Sequence, residues 1–152
     1  MLTLCIILSA CGSLIEPVDY SQNGLKITLD TSYKRSETYG YTACYASSVA
    51  TVYLLREAFS DALSEEMTVR AYTEMVISQN ALQADVREGD YCSFTYETIS
   101  DDIHLKTLVA TYKMSDCFWT VQFVCSAEYF EMLSVDFERF AASVEDVKAS
   151  NS

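Results

Sequence analysis

The strongest constraint on the fold lies in residues 105–125, LKTLVATYKMSDCFWTVQFVC. Two runs of alternating residues flank the pair Ser115-Asp116, and a two-residue connection of turn-forming residues between such runs reads as a β-hairpin. Closing the hairpin there pairs Met114 with Cys117, Tyr112 with Trp119, Ala110 with Val121 and Leu108 with Phe123. One face is then uniformly apolar. The other pairs Thr111 with Thr120 and Val109 with Gln122. A slip of one residue would move every apolar side chain to the wrong face, so the register is strongly specified. Tyr91–Thr98 reads as the preceding strand of a three-stranded meander, with Cys92, Phe94 and Tyr96 expected on the same apolar face.

A helix must cover that face. Phe130, Leu133, Phe137, Phe140 and Val144 recur at spacings of 3, 4, 3 and 4, which is one stripe of an amphipathic helix. It is expected from Ala127 to Val147, with Ser126 as its cap and Glu128, Glu131, Asp136 and Glu138 outward. Upstream, Leu25–Leu29 alternates as a strand, Asp30–Glu37 reads as a loop, and Thr38–Ala46 and Val49–Phe59 read as a hairpin turned at Ser47-Ser48. Thr68 is placed to cap a helix over 69–80, whose stripe is Val69, Tyr72, Met75, Val76 and Gln79. Helices separated by antiparallel strands indicate an α+β layered domain.

The first residues carry an address. Leu8-Ser9-Ala10-Cys11 reads as a lipobox, where a bacterial lipoprotein is cleaved and its new N-terminal cysteine acylated. Secretory signals have a basic start, an apolar middle and small residues at the cut. The middle and the cut are present, but residues 1–10 hold no Lys or Arg, so the signal is expected to begin upstream. A buried first strand, LTLCIIL, is the alternative, because a short apolar run fits both. The expected division is a signal over 1–10, a lipidated Cys11 with a tether over 11–24, one domain over 25–148 and a frayed tail over 149–152.

All charge lies from Glu16 onward, so such a mature domain keeps the full formal −12. That surface repels nucleic acid and anionic headgroups, which argues against nucleic-acid binding and leaves the lipid as the membrane contact. Four of the six cysteines would remain with the domain: Cys44, Cys92, Cys117 and Cys125. An exported chain with four cysteines invites a disulfide reading. Yet Cys117 and Cys125 stand at opposite ends of one strand, roughly 26 Å apart. They read as small buried hydrophobes, with the pairing of Cys44 left open. No Cys/His spacing suggests a metal, and no cofactor is expected.

Candidate chemistry is sparse. His104 is the only histidine, and a hydrolase-type reading would need it beside a cysteine that the register does not supply. Asp101-Asp102 with Glu97 could hold calcium, but turn formation explains the pair as well. Glu57, Asp61, Glu65 and Glu66 read as a solvated acidic loop. Tyr39, Tyr41 and Tyr45 fall on one strand face, where they would pack under a helix or form a binding surface.

The segments LKITL, VYLLREAF, MTVRAYTEMVI and the run from Phe94 to Val144 resemble the PsbP-like superfamily in order and wording. The resemblance implies an α/β/α sandwich around an antiparallel sheet and implies no shared reaction. It departs at Asp30, where a Pro often follows the first strand. The expected function is a membrane-anchored, non-enzymatic binding or accessory module of the cell envelope, partnered by an envelope protein. The alternative is a binder of a small ligand or cell-wall carbohydrate through the tyrosine face. A flat aromatic patch would favour the first, and a groove the second.

Overall fold

Three short connections set the strand pairing in the computed structural model, which describes residues 14–148. The lipobox with Cys11 and the tail over 149–152 lie outside the described residues. In chain order the elements are β1 (Pro17–Gln22), β2 (Leu25–Asp30), β3 (Lys34–Ser36), β4 (Ala43–Ala46), β5 (Ala50–Ala58), α1 (Val69–Gln79), β6 (Arg87–Glu88), β7 (Cys92–Ser100), β8 (Ile103–Lys113), β9 (Cys117–Ser126), α2 (Ala127–Ala142) and β10 (Glu145–Asp146). Seven strands form an antiparallel sheet in the order β3-β4-β5-β9-β8-β7-β6, and β1-β2-β10 form a second. Helix α1 lies on one face of the large sheet. Helix α2 and the small sheet cover the other, so the expected α+β sandwich is observed.

The β8–β9 register is the one expected, residue for residue: Tyr112 opposes Trp119, Ala110 opposes Val121, Leu108 opposes Phe123, Thr111 opposes Thr120 and Val109 opposes Gln122. The Met114 N–H donates to the Cys117 carbonyl at 2.9 Å and closes the turn. The apolar face meets α2 through Phe137, which stacks on Phe123 with ring centroids 5.4 Å apart. From the small sheet, Leu25, Ile27 and Leu29 are fully buried against the same cluster.

Several expectations are corrected. The segment read as a tether contains β1. Asn23 and Gly24 have φ of 48° and 95°, the paired left-handed conformation of a two-residue hairpin turn, for which Asn-Gly is a strong signal. The turn sets Gln22 opposite Leu25. Polar side chains hid the strand, since only alternate positions along β1 are half-buried. Tyr20 tilts against Tyr45, with centroids 4.4 Å apart, and donates to the Tyr33 carbonyl at 2.7 Å. The polar stretch 30–37, read as a loop, likewise contains the edge strand β3, and the other edge of the large sheet is β6.

The meander's first strand faces the other way from expectation. Asp101 and Asp102 have φ of 50° and 63° and form a two-residue turn between Ser100 and Ile103. That register sets Cys92, Phe94 and Tyr96 opposite Thr111, Val109 and Thr107. They therefore share the face under α1, not the α2 face. Cys44, Cys92, Cys117 and Cys125 are buried free thiols.

Both helices differ at their C-terminal ends. In α1 the Thr68 hydroxyl accepts from the Ala71 N–H as expected, but the stripe turns inward at Tyr72 and Thr73, and Gln79 is exposed. Helix α2 stops at Ala142, short of the expected Val147. The Ser143 hydroxyl accepts from the Thr28 N–H at 2.9 Å and donates to the Phe140 carbonyl at 2.6 Å. The chain then adds β10 to the free edge of β2, where pairing satisfies backbone groups that another helical turn would leave to solvent.

The β8–β9 turn is tied to this end of the chain. Asp116 receives Arg56 at 2.9 Å and Lys148 at 2.8 Å. The Lys148 hydrogen bond is the main cause that lowers its carboxyl to about 2.

Two outcomes are expected. Phe137 is fully buried, so Phe137→Ala costs about 3–5 kcal/mol in urea unfolding; a loss below about 1 kcal/mol would mean that α2 is not docked through this ring. Asp116 has a depressed folded value, so its contribution is present above its unfolded value of about 3.9 and disappears as pH falls through about 2. Over that window Asp116→Asn loses less stability than the wild type, and equal pH slopes would refute the linkage.

Candidate functional site

The three tyrosines read as one strand face do not share one. The ladder of β4 starts only at Ala43, and the preceding residues bend, with Gly40 at φ 82°. Tyr45 opposes Val52, is 2% exposed and belongs to the core. Tyr39 is 99% exposed and projects from the bend. Tyr41 crosses to the α1 face and packs on Tyr53 with centroids 4.7 Å apart. Only Tyr41 is thus both ordered by neighbours and partly open.

Tyr41 stands at the edge of a cleft that follows from unequal lengths. An eleven-residue helix is about 16 Å long and 10 Å wide, whereas strands of nine to eleven residues run roughly 30 Å. Helix α1 therefore covers only part of its face. Beyond its C-terminus the sheet stays open as two adjoining cavities of about 290 and 270 Å³. Both are lined by Tyr41, Val76, Asn80 and Gln122, so they form one cleft. Tyr96 lines one half and Glu57 the other.

Each group is placed by its element. Gln122 stands at the middle of β9, on the face of Thr120 and opposite Val109 and Tyr53. Asn80 caps α1, and its amide donates to the Val76 carbonyl at 2.8 Å. Glu57 accepts from the hydroxyl of fully buried Tyr72, which also contacts Thr120 Oγ1 at 2.9 Å. Burial first, and then the Glu57 bond, push the Tyr72 phenol well above its ordinary value, so Tyr72 remains a donor that fixes this carboxylate. Burial also raises the Tyr41 phenol, with Tyr96 and Tyr53 adding to it and a Gln122 hydrogen bond opposing.

The remaining candidates are not brought together. His104 pairs through Nε2 with Glu97 at 2.8 Å on an exposed hairpin end, and stands opposite Ile99 rather than beside a cysteine. Asp101 and Asp102 make the turn itself. Glu57 separates from Asp61, Glu65 and Glu66, which lie on the exposed loop before α1. A second hollow beside Arg87 and Tyr91 has its polar groups engaged with one another: Arg87 pairs with Glu138 at 2.5 Å, and Tyr91 donates to Glu138 at 2.8 Å. Burial and that bond raise the Tyr91 phenol to about 12.

Sequence reasoning missed Gln122, Asn80, Tyr53 and Tyr96 as site residues. Gln122 had a legible signal, a carboxamide in the middle of CFWTVQFVC, where Thr120 is the one other polar residue. Tyr96 was assigned to the wrong face with its strand.

No family model matches the chain, and no curated protein matches it in sequence. Solved structures do share its fold. Cyanobacterial PsbP (CyanoP) from Synechocystis superposes with a TM-score of 0.60 at 12% identity, covering 91% of this chain and 98% of that one. The Ran-binding protein Mog1p of Saccharomyces cerevisiae gives 0.60 at 6% identity, covering 90% and 98%. LpqN of Mycobacterium tuberculosis, described as involved in cell envelope biogenesis, gives 0.55 at 6% identity, covering 86% and 89%. The chain has a PsbP-like fold.

The placement of the tyrosines orders the cost of removing them. Tyr39→Ala should change stability by less than about 0.5 kcal/mol. Tyr41→Ala should cost about 1–2 kcal/mol through its ring pair, and Tyr45→Ala about 3–5 kcal/mol. Chemical unfolding of the three variants checks the order, and equal costs would restore a shared face.

Proposed function

We propose that the chain is a cell-envelope lipoprotein, acylated at Cys11, whose domain is a non-enzymatic binding module that takes a small ligand in the Tyr41 cleft. The cleft carries the reading. A concave site with a few converging polar groups on fixed elements is the usual form of a small-ligand site, whereas a protein partner favours a flatter aromatic patch. Its lining is chemistry for holding: phenol rings, carboxamides and threonine hydroxyls, with Glu57 already bound to Tyr72.

The lipobox supports the address, and the likeness to LpqN is in keeping with an envelope setting. No described helix is long and apolar enough to cross a membrane. Anchorage would come from the lipid on Cys11, and two acyl chains suffice where one is marginal. Because β1 begins at Pro17, only five residues separate it from Cys11, a span of at most about 22 Å of extended chain. Such a short tether would keep the domain near the bilayer, with Leu14 and Ile15, 81% and 72% exposed, at the junction.

Two measurements test the proposal. Labelled palmitate should enter the wild type and not Cys11→Ser; label that persists in the variant removes the anchor. Cross-linking in intact cells should recover an envelope component that is lost from both Cys11→Ser and Tyr41→Ala and kept by Tyr39→Ala. Recovery that is indifferent to Tyr41 would move the binding surface elsewhere.

A further inference from the structure

We infer that the Tyr41 cleft is a site for a neutral saccharide of one or two rings, stacked on Tyr41 and Tyr96 and held by Gln122 and Asn80. The inference rests on the reading of this cleft as the binding site and names its ligand class.

Charge narrows the choice first. The chain carries a formal net charge of −12, and the side chains lining the cleft include Glu57 and no Lys, Arg or His. Phosphates, carboxylates and acidic sugars would meet repulsion with no cation to offset it. A cationic ligand would find a single carboxylate to pair with, Glu57, whose Oε2 already accepts from fully buried Tyr72. A neutral ligand leaves that pair intact.

The polar inventory comes next. Gln79, Asn80 and Gln122 bring carboxamides that both donate and accept, and Thr98 and Tyr41 bring hydroxyls that do the same. An apolar ligand would strip water from these groups and return nothing, which costs free energy at each unpaired atom. Sugar hydroxyls are themselves two-way partners, so they satisfy such a lining from either side.

Shape and the aromatic rings complete the match. Tyr41 lines both halves of the cleft and packs on Tyr53 with centroids 4.7 Å apart, so it is a platform already held in place. Tyr96 flanks the second half and is backed by Phe94 at 6.2 Å. Rings already held by a neighbour meet the C–H surface of a pyranose at little cost in side-chain entropy. Cavities of about 290 and 270 Å³ stand near the lower end of ligand pockets, which run from roughly 300 to 1,000 Å³, and suit one or two rings.

The test uses the full chain carrying Cys11→Ser, purified without lipid and labelled with nitrogen-15. Cellobiose, maltose and chitobiose are each titrated to about 10 mM while amide signals are followed by NMR. At least one sugar should give saturable shifts in the side-chain amides of Gln122 and Asn80 and in the backbone near Tyr41. Affinity should fall about tenfold in Tyr41→Ala, hold in Tyr39→Ala, and persist in Tyr41→Phe, which keeps the ring. The dispersed spectrum of each variant reports that it is folded. Co-sedimentation with insoluble cellulose and chitin separates a cleft that grips a polymer from one that takes a free sugar, and either result supports the inference. No saturable shift with any of the three sugars overturns it, as do shifts that survive Tyr41→Ala or equal binding of glucuronic acid. If the sugars fail while the cellular cross-link still depends on Tyr41, only the ligand class falls. If both fail, the cleft reading falls with it.

Discussion

The pairing of β8 with β9 across the Ser115-Asp116 turn is the constraint on which the rest depends. It sets Cys117, Trp119, Val121, Phe123 and Cys125 on one face and Phe118, Thr120, Gln122 and Val124 on the other. Through β5, the same parity turns Val52 and Leu54 to the core and Tyr53, Leu55 and Glu57 to the α1 side. One register therefore decides both where the hydrophobic free energy is gained and which side chains remain for recognition. A one-residue slip would send Gln122 into the core and Phe123 under the cleft, and the cost of burying the unpaired amide opposes it.

That turn is also where the chain closes on itself. Arg56 from β5 and Lys148 from beyond β10 converge on Asp116, and the Ser115 N–H donates to Asp146 at 2.9 Å. These contacts are partly exposed, so each is weak on its own. Their value is positional. They join the last residues to the hairpin that sets the sheet, while Ser143 joins the end of α2 to Thr28 in the small sheet. The short β10 strand persists because both of its ends are held.

The sequence reading succeeded where apolar periodicity was strong and failed where a turn or a bend decided the outcome. Alternation in residues 105–125 and the spacing of Phe130, Phe137 and Phe140 were enough to place β8, β9 and α2 against each other. The β1 strand was missed because its side chains are mostly polar, although Asn23-Gly24 carried the hairpin signal. The face of β7 was inverted because its parity is set by Asp101-Asp102, where two non-glycine residues adopt φ above zero, and nothing in the apolar pattern of CSFTYET distinguishes the faces. The tyrosine site was half legible. Tyr41 was named, but placing it with Tyr39 and Tyr45 by even-numbered spacing assumed a continuous strand, and the bend at Gly40 breaks it. Gln122 could have been found from its own register.

The two faces of the large sheet are covered unequally, and this locates function. On the core face, a sixteen-residue α2 and a three-stranded sheet together leave Leu108, Val121 and Phe123 almost without solvent contact. On the other face, α1 is a single short helix that seals Tyr72, Thr73, Thr111 and Thr120 and then ends at Asn80. Lengthening α1 would bury Gln122 and Tyr96 and remove the cleft, so the early stop is what keeps a concave surface open on a rigid floor. Because that floor belongs to strands whose alternate residues form the core, it is positioned with the precision of the core. The side chains that line it lie outside the hydrophobic cluster buried under α2 and the small sheet. A fold arranged this way can change what it recognises by substitution at even positions of β9 and odd positions of β5, while the residues between them continue to hold the sheet against α2.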